Sequence, residues 1–166
     1  MPPEKKRKSA LETAAGILGA RAYTKLELRR KLYKKERFTP SEIERAVAEL
    51  ERMGFLSDRR YCEDAVRILR GRGYGPLRIR SRLLSKGVPR DIVEECLETA
   101  EPGAPEDDAA RALSLLERSA ARFGREDDPR RKRAKALRFL AGRGFAAESA
   151  FRALEQWEHG ACDETE

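Results

Sequence analysis

Apolar positions recur along this chain with the period of a helix, and the breaks between the apolar stretches carry a repeated punctuation. Ser9 followed by Glu12 is a capping box, in which a hydroxyl and a carboxylate satisfy backbone donors at a helix start, and it predicts a helix to about Ala20. Thr24 with Glu27 repeats the device and opens a second helix, to about Lys35. Thr39, Pro40 and Glu42 combine a cap, a proline at the first helical position and an acid, so a third helix runs to Gly54. Asp58 then caps a helix ending at Gly71 or Gly73, Gly75-Pro76 starts another ending at Gly87, and Pro89 starts one reaching about Thr99. After the breaker Glu101-Pro102-Gly103-Ala104-Pro105, a longer helix is predicted to about Phe123. Asp128-Pro129 caps the next, and Phe145 precedes a last helix ending near Trp157. The reading is all-α, nine helices in three units of three.

The units superpose when the residue before each third helix, Phe38, Val88 and Phe145, is the anchor. Counting forward five, eight, nine and twelve gives Ile43, Ala46, Val47, Leu50; then Val93, Cys96, Leu97, Ala100; then Ala150, Ala153, Leu154, Trp157. In the second helices, Leu32, Leu83 and Leu140 have Leu28, Ile79 and Ala136 four before them and Leu26, Leu77 and Ala134 six before them. These offsets give each helix an apolar stripe to bury. A lone unit of this size buries little, so stacking is expected, and with it an elongated, curved array of three tandem three-helix repeats. The divisions expected are a basic flexible tail at 1–8, repeats at 9–56, 57–102 and 103–158, and an acidic tail at 159–166. Unit three carries an insertion of about ten residues before its second helix.

Composition narrows the class. Of 166 residues, 39% are charged and 40% apolar, and Ala, Leu, Glu and Arg outnumber Val, Ile and Thr, which favours helices over strands. No apolar run approaches the ~20 residues of a membrane span, and Met1 to Lys8 lack the apolar core of a secretion signal, so a cytoplasmic protein is expected. Cys62, Cys96 and Cys162 are scattered, which indicates neither a disulfide framework nor a zinc site, and the first two read as small apolar filler on helices.

Charge changes the picture more than the net +7 suggests. From Arg67 to Arg90 the chain carries eight Lys or Arg and no acid. Arg70 and Arg72 flank the glycine turn there, and Arg78, Arg82 and Lys86 form a row predicted to face solvent on the helix that follows. Arg131, Lys135 and Arg138 share a face in unit three, where no acid appears from Pro129 to Ala147. Asp91 to Ala110 has acids and no base. Any single exposed Arg or Lys is explained by solvation, but long stretches without a neutralising acid point to a functional basic surface.

Three helices per unit also suit a major-groove DNA reader, yet the third helices here are acidic or mixed, and the chain has no asparagine and one glutamine, Gln156. Adenine readout therefore has almost no chemical means. Gly71 to Gly75 is glycine-rich, but it follows a helix and lacks the lysine of a phosphate loop. The single histidine, His159, has no histidine partner, and no nucleophile, base and orienter set is present. Neither an enzymatic activity nor a cofactor is expected.

Leu56-Ser57-Asp58-Arg59-Arg60-Tyr61, the turn Gly73-Tyr74-Gly75-Pro76-Leu77-Arg78-Ile79, the exit Leu83-x-x-Lys86-Gly87-Val88, Gly124-Arg125-Glu126-Asp127-Asp128-Pro129 and Arg143-Gly144-Phe145 together resemble the RecX family of bacterial recombination regulators. The likeness runs in order from about Ala10 to Glu155, and Tyr23-Thr24-x-x-Glu27-Leu28-x-x-Lys31-Leu32 in the first unit fits it too. The resemblance implies tandem three-helix repeats and a non-enzymatic modulator of RecA, mostly an inhibitor. Such a protein lies in the groove of the RecA filament on single-stranded DNA and restrains its growth, ATPase, strand exchange and coprotease activity. It implies a place in homologous recombination, DNA repair and the SOS response.

Joined to the charge pattern, this makes Arg70, Arg72, Arg78, Arg82, Lys86, Arg131, Lys135 and Arg138 the candidate protein- or DNA-binding residues of a chain expected to act as a monomer away from membranes. A nonspecific nucleic-acid binder using the same basic face is the alternative, and a helical scaffold for another partner is a third class.

Overall fold

The computed structural model describes residues 8–99 and 108–163, with side chains as far as residue 160. Among the described residues there are nine α-helices, one 3-10 turn and no strand. In order they are α1 Ala10–Leu18, α2 Lys25–Tyr33, α3 Pro40–Arg52, α4 Asp58–Gly71, α5 Pro76–Ser85, α6 Arg90–Thr99, α7 Asp108–Arg118, α8 Pro129–Arg143 and α9 Ala147–Asp163, the 3-10 turn being Ala120–Arg122. The chain forms two compact units, the first made of residues 1–65 and 83–96 and the second of 66–82 and 97–166.

In the first unit the starts of α1, α2 and α3 are fixed by reciprocal capping boxes at Ser9 and Glu12, Thr24 and Glu27, and Thr39 and Glu42. Each box closes two otherwise orphaned backbone donors within four residues. Ala14, Leu28, Leu32, Ile43, Val47, Leu50 and Leu56 make the core, with Leu11, Ile17, Leu18 and Phe38 packed at its edge. Burying each Leu or Ile there is worth about 1.5–3 kcal/mol. Two long-range polar ties add direction: the Lys25 amide donates to Asp58 Oδ1 at 2.8 Å, and the Thr24 hydroxyl donates to the Lys86 carbonyl at 2.6 Å. Cys62 and Cys96 are both buried free thiols in this unit. Burial, with the hydrogen bond to Cys96, pushes the Cys62 thiol well above its ordinary value.

The second unit packs Ala112, Leu115, Leu116, Phe123, Ala136, Leu140, Phe145, Ala150, Ala153 and Leu154, with Phe139 and Trp157 partly buried against them. Phe123 meets Phe139 and Trp157 edge-on, at ring separations of 5.7 and 5.6 Å. α8 starts at Pro129 with the Asp128 carboxylate accepting from the Arg130 and Arg131 amides, and it stops at Gly144, whose φ is +90°.

Several expectations shift. The helix predicted to reach Phe123 ends at Arg118; Ser119 leaves helical geometry, and the 3-10 turn that follows delivers Phe123 into the core. The last helix, expected to end near Trp157, continues to Asp163, so 159–163 is helical rather than tail; no proline stops it, and Gly160 is tolerated. In the row six residues before Leu32, Leu83 and Leu140, Leu26 is half-buried against Gly87, but Leu77 is 49% exposed, and Ala134 is exposed as well. Six residues rotate a helix to about 120° from the starting face, whereas four bring it back within about 40°, and Leu28, Ile79 and Ala136 are accordingly buried. The basic tail at 1–8 lies outside the described residues except for Lys8, as do the breaker at 101–105 and residues 164–166.

Candidate polyanion-binding surface

Seven of the eight candidate residues, all but Lys86, belong to the second unit. Its organising feature is the glycine turn between α4 and α5, which is stitched to the end of α8. The Gly75 amide donates to the Arg143 carbonyl at 2.8 Å and the Leu77 amide to the Gly144 carbonyl at 3.1 Å. Arg143 Nη1 returns a bond to the Arg72 carbonyl at 3.1 Å, and Arg78 Nη1 donates to the Gly142 carbonyl at 3.2 Å. The two backbones touch at Gly75 and Gly144. A Cβ on Gly75 would overlap the Gly144 carbonyl, and one on Gly144 would overlap the Arg78 Cβ, so both positions need glycine for space, and Gly144 also for its positive φ.

Rings and cations alternate across this seam. Tyr74 lies between Arg78 at 5.5 Å and Arg143 at 5.4 Å, and Phe139 between Arg143 at 5.2 Å and Arg122 at 5.1 Å. Farther along α8, Lys132 sits 5.2 Å over Trp157. Such contacts hold a guanidinium or ammonium in place without neutralising it.

The candidate residues divide by what they hold. Arg70 is half-buried and donates to the Leu97 carbonyl at 2.8 Å. Arg78 is exposed, yet its head is tied to Gly142. In the first unit, Lys86 pairs with Glu27 at 2.6 Å and is half-buried. The predicted solvent-facing row on α5 thus has its first and last members engaged in internal contacts, because Gly142 and Glu27 come from distant parts of the chain. Arg72 and Arg82 are exposed.

On α8 the outlook is different. Arg131 is exposed and pairs loosely with Asp128 of its own cap at 3.5 Å, Arg138 is exposed and donates to the Ala134 carbonyl of its own helix, and Lys135 is half-exposed between them. Arg131, Lys135 and Arg138 follow i, i+4, i+7 spacing and share one face. The stitched turn meets α8 at its other end, Gly142 lying about 16 Å along the axis from Arg131. Sequence reasoning passed over Arg143 and Arg122 as surface elements; the Arg143-Gly144-Phe145 motif was the signal available for the first, and nothing local marked the second.

Glu27 in the first unit shows how such pairs are tuned. Burial pushes its carboxyl up, but the Lys86 hydrogen bond and charge, the Thr24 amide and Arg21 outweigh that and hold it below its ordinary value of 4.5. Among the described residues no group of three or more His, Cys, Asp or Glu is placed to hold a metal ion. No described helix is long and apolar enough to cross a membrane.

Fold and surface together define an all-helical protein of three-helix units whose α8 presents a row of cations. Sequence models of the first, second and third three-helix domains of RecX match residues 10–50, 57–97 and 106–154, in that order. The chain is 40% identical over 148 residues to the regulatory protein RecX of Thermus thermophilus, covering 89% of each. It is 40% identical over 143 residues to that of Pseudomonas entomophila, covering 86% of this chain and 87% of that one. The Deinococcus radiodurans relative is 33% identical over 153 residues, 92% of this chain and 70% of its own length. The crystal structure of RecX from Lactobacillus salivarius shares the fold, with a TM-score of 0.77 at 22% identity over 90% of this chain and 94% of that one. The protein belongs to the RecX family of regulatory proteins.

Proposed function

We propose that this chain is a non-enzymatic modulator of RecA, mostly inhibitory. It binds in the groove of the RecA filament on single-stranded DNA and restrains filament growth, ATPase, strand exchange and coprotease activity. The observation that carries this reading is the match of all three RecX domain models, in order, over most of the chain. On it rests a place in recombination, DNA repair and the SOS response, in the cytoplasm and as a monomer, with repeats dividing near residues 57 and 103. The mechanism is occupation of space: three helical repeats lie along the filament, and the cations of α8, with Arg72 and Arg82, face acidic protein surface or DNA. Neither cofactor nor covalent step enters.

The test is the ATPase of RecA on single-stranded DNA with and without the full chain. A dose-dependent fall in turnover is expected, and turnover unchanged by excess chain would overturn the reading. The Arg131, Lys135 and Arg138 face also suits nucleic acid alone, which gives a second reading, nonspecific binding to phosphates. There, log affinity for bare duplex DNA falls with log salt at about −0.9 per phosphate contacted. Binding to bare DNA that persists at high salt would contradict it.

A further inference from the structure

Within the second unit, on the side of the glycine turn where α7 lies, is a cleft of about 170 Å³ lined by Arg70, Tyr74, Arg111, Ser114, Arg118 and Phe145 among others. α7 turns Arg111, Ser114 and Arg118 to one face, at i, i+3 and i+7. Among the described residues no acid lines the cleft. Asp108, one turn before Arg111, pairs with one of its terminal nitrogens at the margin of the cleft. The Arg111 side chain is 19% exposed, and among the described residues its Nε is buried without a hydrogen-bond partner. Among the described residues Arg118 donates from Nε, to the Ser114 carbonyl at 3.2 Å, which leaves its terminal nitrogens for a ligand.

A largely buried arginine with an orphaned guanidinium donor is costly unless an anion completes it. Size limits which anion. A water takes about 30 Å³ of liquid volume, so the cleft holds a phosphate group with a few waters, whereas whole ligands of drug size need roughly 300 Å³ or more. Arginine forks match phosphate oxygens, and the hydroxyls of Ser114 and Tyr74 are neutral donors at the same wall. We propose that this cleft is a binding site for a single phosphate group, supplied either as the free anion or as one phosphodiester of a nucleic-acid strand, with Arg111 and Arg118 as its principal donors. The inference does not depend on an action on RecA and would survive that reading's failure.

The experiment is a nuclear magnetic resonance titration of the full chain at constant ionic strength, following arginine Nε–H signals, with inorganic phosphate and, separately, a short oligothymidylate. Saturable shifts at Arg111 and Arg118 are expected, with affinity falling at least tenfold in Arg118→Gln. Arg118 is exposed and its hydrogen bond is to its own helix, so this variant is expected to fold even where Arg111→Gln loses stability with its Asp108 pair, and circular dichroism checks that it does. Arg45→Gln, which removes an exposed charge from the first unit, leaves the affinity unchanged. Mutual displacement of the two probes at these signals supports the proposal and assigns the phosphodiester; a response to phosphate alone supports it and assigns the free anion. No saturable shift with either probe, or equal weakening by Arg118→Gln and Arg45→Gln, would overturn it.

Discussion

The Arg78 guanidinium donates to the Gly142 carbonyl at 3.2 Å, so a side chain at the outer edge of α5 closes the seam between the glycine turn and the end of α8. Replacing Arg78 with Glu removes that bond and sets a carboxylate against a carbonyl. The seam is exposed there, so the loss is about 1 kcal/mol. Urea denaturation should show a lower midpoint for Arg78→Glu than for Arg138→Glu, which breaks only a bond to its own helix.

Gly75 offers a sterner test of the same seam. A methyl group at this position would run into the backbone of Gly144 and Phe145, and backbone cannot rotate away as a side chain does. Gly75→Ala should cost about 1–3 kcal/mol or more, the range of overpacked sites. Thermal melting by circular dichroism reads it directly, and a melting temperature equal to wild type would mean that the two glycines are not in contact in solution.

Lys86 and Glu27 predict a pH effect. The folded Glu27 carboxyl titrates below its ordinary 4.5, so the native state gives up this proton more readily than the unfolded chain does. The stability from the pair is therefore complete above that value and lost as pH falls through it and below. Glu27→Gln should flatten the acid limb of a plot of unfolding free energy against pH. Lys86→Ala, which leaves a carboxylate only 14% exposed without its lysine, should cost roughly 1–3 kcal/mol at neutral pH.

The row on α8 is where function and stability separate. Arg131 and Arg138 are exposed, and among the described residues their partners are local, so reversing both to Glu should change stability by less than about 1 kcal/mol. The same double variant should lose inhibition of the RecA ATPase. Wild-type inhibition by a folded double variant would remove this face from the proposed mechanism.

Phe123 closes the second unit's core. It is fully buried against Phe139 and Trp157, and Phe123→Ala should cost about 3–5 kcal/mol, measured by chemical denaturation.

What was legible in the sequence was local. The boxes at Ser9, Thr24 and Thr39 formed as expected, because a cap and its acid stand three residues apart and need no tertiary partner. The stripe through Leu28 and Leu32 followed from helical period and is fully buried. Leu77 shows where that reasoning overreached: six residues before Leu83 it lies off the stripe, and it is exposed. The end of α7 was hidden because no proline or glycine marks it; Phe123 is drawn inward by rings on α8 and α9. The candidate site divided in the same way. The α8 face was visible as spacing, but the partners that occupy Arg78 and Lys86 lie 64 and 59 residues away.

The repeats in the sequence and the compact units of the chain do not coincide. The RecX domain matches number three, yet the chain condenses into two units whose boundaries fall inside α4, α5 and α6. A fragment cut neatly at residue 57 would leave the Lys25 amide without Asp58 and the Thr24 hydroxyl without the Lys86 carbonyl. The stretch that looks like a duplicated module is therefore tied by its own side chains and backbone to the start of α2, and cutting it out would orphan those donors in the copy before it.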